Sequence, residues 1–162
     1  MIRAATADDA GAIADIVIAS WRFAYRGILP DAELDRDSRA ERIERITRRL
    51  ADWPTFVTSD LTGMVRLAPS CVYADAEIEG LYVVPPAARS GLGRALVAHA
   101  CRHAADRGAL SLYIHTLRDN TIGRAFYAKL GGRIVVEDTV AFAGGTYAGI
   151  GYRWDDLRAL TA

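Results

Sequence analysis

A chain of 162 residues with 51% hydrophobic, 9% aromatic and 25% charged side chains is long enough to bury a core without metal or disulfide support, which excludes a disordered or fibrous chain. Twenty basic and twenty acidic side chains balance, so no overall positive field exists to hold a nucleic-acid backbone or an anionic membrane, and any anion site must be local. The longest apolar stretches fall far short of the roughly 20 residues a membrane span needs.

One domain, residues 1–162, is expected. Lys129 is the single lysine, so arginine, with its planar fork, supplies nearly all the positive charge and leans towards geometric contacts with phosphate. Cys71 and Cys101 form no Cys-x-x-Cys pair, and Met1-Ile2-Arg3-Ala4-Ala5 contains no signal-like apolar block; a reducing cytoplasm is the expected setting.

In chain order, Thr6 with Asp9 three residues on caps a helix over residues 7 to about 20, with Ala10, Ile13, Ala14, Ile16 and Val17 at helical spacing. Trp21, Phe23 and Tyr25 follow, then Gly27 and Pro30, which predicts a loop with aromatic walls. Ser38 and Glu41 form a second capping box for a helix over 38–51; its Glu41/Arg45 and Glu44/Arg48 pairs read as a solvated face. Short β-rich runs at 55–58, 64–67 and 76–84 predict three successive antiparallel strands, halted by Pro85-Pro86. A helix from Gly91 to about Arg107 stops at Gly108, and a strand with Leu110, Leu112 and Ile114 on one face follows. Asn120 caps a helix to Leu130, closed by Gly131-Gly132; residues 133–142 and 146–154 form a closing hairpin.

The informative segment is the strand that runs through Arg89, Ser90, Gly91, Leu92, Gly93 and Arg94 into a helix. Such a turn exposes unpaired N–H groups at a positive helix end, where phosphate binds, and glycine lets the ligand approach. A phosphate-containing cofactor is one reading and an unliganded glycine-rich turn the other. The dinucleotide fingerprint fails, because Leu96 stands where its third glycine belongs and His115-Thr116 stand where an acid is required. No Gly-Lys-Ser/Thr follows, so a P-loop fails too.

Ala88-Arg89-Ser90-Gly91-Leu92-Gly93 resembles the cofactor motif Gln/Arg-x-x-Gly-x-Gly/Ala of the GNAT superfamily of N-acetyltransferases, departing from it at Ala88. Glu77-Ile78-Glu79-Gly80-Leu81-Tyr82-Val83 resembles that family's fourth strand, and Asn120 through Gly131 its later helix motif, in the right order. The resemblance implies an α/β fold of α+β type, a central mixed, mainly antiparallel sheet with splayed strands flanked by helices. It implies acetyl-coenzyme A as co-substrate, with pantetheine paired to the backbone of Leu81, Tyr82 and Val83, an N–H near Val83 on the thioester carbonyl, pyrophosphate on residues 89 to 94, and Asn120 among the cofactor-binding residues. Tyr127 matches the helix tyrosine placed beside the coenzyme sulfur, where it would be the acid; a core-packing role is the alternative.

An amine attacking a thioester needs a base. Glu77 and Glu79 share a face of a regular strand, a bulge would change which one points inwards, and both could be wet-face residues. Glu79, nearer the expected carbonyl, is the first candidate. Trp21 and Tyr25 shape an acceptor pocket or serve core or dimer packing; a homodimer is compatible with either. His99 and His103 lack the glutamate of a zinc-protease motif, so no metal is expected. The acceptor is a small-molecule or peptide amine, attacked directly in a ternary complex. The rivals are a non-catalytic coenzyme A-binding module and an enzyme using a longer acyl chain.

Overall fold

The computed structural model of the chain describes residues 1–69, 71–142 and 144–161, with Phe142 described through its backbone alone. Its strands are β1 (Ile2–Ala4), β2 (Thr55–Thr58), β3 (Gly63–Leu67), β4 (Ala76–Val83), β5 (Leu112–Leu117), β6 (Arg133–Phe142) and β7 (Gly145–Trp154). Its helices are α1 (Ala10–Tyr25), α2 (Asp31–Leu34), α3 (Arg39–Asp52), α4 (Leu92–Ala105) and α5 (Thr121–Lys129). The strands join in one sheet, β1-β2-β3-β4-β5-β7-β6, antiparallel at every described pair except β4 with β5, which is parallel. Among the described residues no helix is long and apolar enough to cross a membrane.

Alternation along the central strands builds two cores. Val57 and Met64 face Ile13, Ile16 and Ile46 of α1 and α3. Phe56, Val65, Leu67 and Ile78 face Leu96, Val97 and Cys101 of α4, together with Tyr127, Tyr152 and Trp154. Strands clothed on both faces lose the polar alternation of a half-wet sheet, and β2 and β3 are buried throughout.

Most boundaries agree with the sequence reading to within a residue or two, and the departures have physical causes. α1 does not stop near residue 20 but runs to Tyr25, because Trp21 and Tyr25 pack inward on Leu29, Leu34 and Leu117 and extend the apolar stripe. The loop expected there shrinks to residues 26–30. β5 begins at Leu112, since Leu110 is exposed and its N–H, like that of Ser111, is taken by Asp75. Ser38 and Glu41 exchange the two hydrogen bonds of a capping box, Ser38 N–H donating at 2.8 Å and Glu41 N–H at 3.2 Å. Committed to that cap, Glu41 does not pair with Arg45, which reaches Asp37 at 2.6 Å instead.

The first helical turn is tied to β1 by charge. Arg3 donates from Nη1 and Nη2 to Asp9 at 2.7 and 2.8 Å, and Thr6 N–H donates to the same carboxylate at 2.8 Å. The Arg3 guanidinium thereby holds the Asp9 carboxyl well below the usual range. A depressed folded value stabilises above the unfolded carboxylate pKa of about 3.9 and is lost as pH falls through the folded value. Asp9→Asn should cost about 2 kcal/mol at neutral pH, and the gap to the parent in denaturant melts should close as pH drops below about 4; a gap independent of pH would contradict the clamp.

Candidate active site

The parallel ladder between β4 and β5 holds only Ala76↔Leu112, Glu77↔Tyr113 and Ile78↔Ile114. Beyond that vertex both strands continue without pairing to each other. On its other edge β4 stays paired with β3, but the register passes from Leu67↔Ile78 to Arg66↔Gly80, so Glu79 is one residue extra, a bulge. Val84 N–H donates to Thr62 O at 2.9 Å, and antiparallel alternation then turns the Met64↔Tyr82 and Arg66↔Gly80 pairs towards each other. The N–H and C=O of Leu81 and Val83 therefore point the other way, towards the gap left by β5. Of these groups, Val83 O accepts from Ser20 Oγ at 3.1 Å, which pins α1 to the open strand.

At the mouth of the gap the chain makes a 3₁₀ turn over Pro85–Ala87 and enters α4 through two left-handed residues, Arg89 (φ 63°) and Gly91 (φ 88°). The N–H groups of Leu92, Gly93 and Arg94 have no intrahelical acceptor and sit at the positive end of the helix dipole. Ser90 does not cap them; its hydroxyl donates to Ala87 O at 2.7 Å and closes the loop. Arg89 and Arg94 are exposed and make no ion pair among the described residues. A β-carbon added at Gly93 would meet Phe126 at an ordinary 3.4 and 3.5 Å, so the fold itself does not require glycine there.

Four tyrosines surround the gap. Tyr25 lies beside Thr116 and Asn120, and Tyr127 on α5 lies beside Tyr25, Tyr82 and Tyr152, its ring 5.6 Å from that of Tyr152. Burial pushes the Tyr127 phenol well up, and pushes Tyr82 up to about 12. Both are neutral at physiological pH and hold their protons more tightly than a free phenol. Asn120 caps α5, accepting from Gly123 N–H at 3.0 Å and donating to Thr116 Oγ1 at 3.1 Å.

The acids divide. Glu79 is gripped by two cations, Arg49 at 2.9 Å on Oε1 and Arg66 at 3.3 Å on Oε2, which suits it to positioning better than to proton abstraction. Glu77, on the same side of the strand at the vertex, has no cation within ion-pair distance among the described residues. Burial pushes its carboxyl above the ordinary range, against a hydrogen bond with the Cys71 thiol and with the Glu79 charge adding to the rise.

Beside Glu77 stands a pair the sequence reading did not single out, His115 Nε2 with Asp138 Oδ1 at 2.9 Å. Gly149 makes room for it, since a β-carbon there would run into both His115 and Asp138, and Gly151 does the same for Tyr113. The Gly149-Ile150-Gly151 spacing was the available signal, but its meaning depends on β7 lying between β5 and β6. His99 and His103 are elsewhere, edge-on to Phe56 at 4.6 and 4.9 Å. Trp21 and Tyr25 pack with centroids 5.0 Å apart beside β4, and Trp21 lines a cavity with Glu79 and Tyr82.

A parallel pair that opens halfway, with a glycine-led helix end at its mouth and ionisable groups at its vertex, offers an open strand edge continuous with an anion-favouring helix terminus. The profile of the Acetyltransferase (GNAT) family matches residues 13–132. The chain is 27% identical to the uncharacterized N-acetyltransferase YuaI of Bacillus subtilis, over 98% of this chain and 95% of that protein. It is 25% identical to the spermidine N(1)-acetyltransferase of Thermoplasma acidophilum, over 85% and 89%. The fold matches the PaiA N-acetyltransferase of Thermoplasma acidophilum, solved in complex with coenzyme A, with a TM-score of 0.76 at 21% identity over 95% and 98% of the two chains. The chain belongs to the acetyltransferase (GNAT) family.

The glycines of the site should separate by function. Gly149→Ala forces the His115–Asp138 pair apart and should cost about 1–3 kcal/mol, whereas Gly93→Ala should change stability by no more than about 0.5 kcal/mol. Equal losses in paired thermal melts would show that Gly149 does not make room for that pair.

Proposed function

We propose that the chain is an N-acetyltransferase that moves an acetyl group from acetyl-coenzyme A to an amine by direct attack in a ternary complex. The observation that carries this is the unpaired edge at Leu81 and Val83, running from the vertex to the N-terminus of α4. That edge can pair with the amides of a pantetheine arm as an added strand would. Pyrophosphate then meets the N–H groups of residues 92–94, with Arg89 and Arg94 alongside and no β-carbon at Gly93 to obstruct it. The coenzyme supplies an activated thioester; the chain supplies position and proton transfer.

In this reading Val83 N–H donates to the thioester carbonyl oxygen. Tyr127, kept protonated by its burial, gives a proton to the sulfur. Glu77 takes the proton of the amine, directly or through water, in place of Glu79, whose two oxygens are engaged by arginine. Asn120 holds Tyr25 and Thr116 in register beneath the gap. The acceptor enters on the α1 side, past Trp21 and Tyr25. Polyamines belong in any acceptor panel, given the spermidine acetyltransferase among the relatives.

The test is coenzyme-thiol release that depends on an added amine, followed over pH. Glu77 works only when deprotonated, and its value is raised, so kcat/KM should climb through a limb above the usual glutamate value of about 4.3. Glu77→Gln should lose that limb and about 10²–10⁴-fold in rate, with coenzyme affinity unchanged. A variant that keeps the limb would move the base to His115 with Asp138; release that no amine accelerates would refute the transferase reading.

A further inference from the structure

On the α1 face of β4 lies a cavity of about 240 Å³, walled by α1, α3, the segment around α2 and the strands β3 and β4. Five arginines line it against three carboxylates, Glu33, Asp37 and Glu79. All three carboxylates are already engaged, by Arg36, by Arg36 and Arg45, and by Arg49 and Arg66. Arg42 has no carboxylate partner among the described residues; its guanidinium lies over the Trp21 ring, 6.0 Å from the centroid, and its Nη2 reaches Leu34 O at a long 3.4 Å.

Two of these arginines are inside the protein. Arg66 is 3% exposed and Arg42 7%, and both belong to the cavity wall. Nε and Nη2 of Arg66 and Nε of Arg42 are buried with no hydrogen-bond acceptor among the described residues. Buried polar groups are almost always paired, and a buried guanidinium with open N–H groups is a costly arrangement to keep. The open edge of Arg66 has a defined shape. Arg39 uses the same two nitrogens, Nε and Nη2, to clasp both oxygens of Asp15 at 2.7 and 2.9 Å. Two parallel N–H groups match the two oxygens of a planar carboxylate. Burial also pushes both guanidinium groups below their usual value, a shift that a bound anion would reverse.

We propose that this cavity is the acceptor's anion subsite, and that the amine acetylated by this chain is an amino carboxylic acid whose carboxylate binds Arg66 and Arg42. The inference rests on the N-acetyltransferase reading and names its substrate class. Arg66 is paired with Gly80 across the sheet, next to Leu81, so a carboxylate held there leaves its amine beside the splayed edge. The surplus of positive charge works against a polycation such as spermidine, whose second ammonium group would enter the arginine cluster.

The experiment compares matched amines: L-lysine with cadaverine, L-phenylalanine with phenethylamine, and β-alanine with ethylamine and 2-aminoethylphosphonate. Each is assayed for acetyl-coenzyme A-dependent acetylation and, separately, for calorimetric binding to the protein alone. The carboxylated member of at least one pair should bind and turn over at least tenfold better than its partner lacking the carboxylate. Arg42→Gln should raise its KM at least tenfold while leaving the KM for acetyl-coenzyme A unchanged. Arg66→Lys, which keeps charge and volume but loses the fork, should do the same in a protein whose circular dichroism matches the parent. Preference for the decarboxylated amines, no preference in any pair, or a phosphonate that outcompetes the carboxylate would overturn the proposal. If no amine is acetylated, the transferase reading fails, and the binding arm alone decides the anion subsite.

Discussion

Two parallel strands that part after Ile78 and Ile114 leave backbone N–H and C=O groups of a half-buried strand with no strand to receive them. Everything around the gap answers that deficit. On one side the ladder with β3 continues past a bulge at Glu79, which bends β4 at the vertex while its pairing with β3 leaves Leu81 and Val83 facing the gap. On the other, β5 leans on β7, pairing from Leu112↔Trp154 to Leu117↔Gly149, so it can leave β4 without becoming an edge. Ser20 relieves one of the orphaned carbonyls. The remaining groups form a strand-shaped template, and a ligand carrying amides is its natural complement.

The gap also fixes where charge can act. Its mouth meets the positive end of α4, built from residues whose left-handed conformations bring the chain round in a few residues. Its vertex collects Glu77, the His115–Asp138 pair and a group of phenols kept neutral by burial. The positive helix end at the mouth and the Glu77 carboxyl at the vertex thus lie along one line, the course of β4. On the α1 face the arginine-lined cavity adds a third station beside the bulge, and Glu79 joins it to the strand through Arg49 and Arg66.

Much of this was legible in the residues. Helix caps at Ser38 and Asn120, the stops at Gly108 and Gly131, and the β-rich runs of β2 to β4 are local chemistry, and the structure follows them. The glycine turn into α4 was visible for the same reason: its φ values are a property of the chain, not of its neighbours. The rest depended on partners far away in sequence. α1 runs on to Tyr25 because Leu117 lies beneath it, and no pattern near residue 20 announces that. Position along the strand puts Glu79 ahead of Glu77, and only a bulge and two arginines, Arg49 and Arg66, show how differently the two carboxylates are held. His115 and Asp138 lie on strands separated in the sheet by β7, and only Gly149 between them brings the side chains together.

The central claim is that the open edge of β4 and the start of α4 form one ligand surface, and amide hydrogen exchange reads it directly. With acetyl-coenzyme A added, the amides of Leu81, Val83 and residues 92–94 should slow together, while those of β2 and β3, already buried and paired, stay as they were. Slowing confined to other segments, or exchange at Leu81 and Val83 unchanged under saturating coenzyme, would contradict the account.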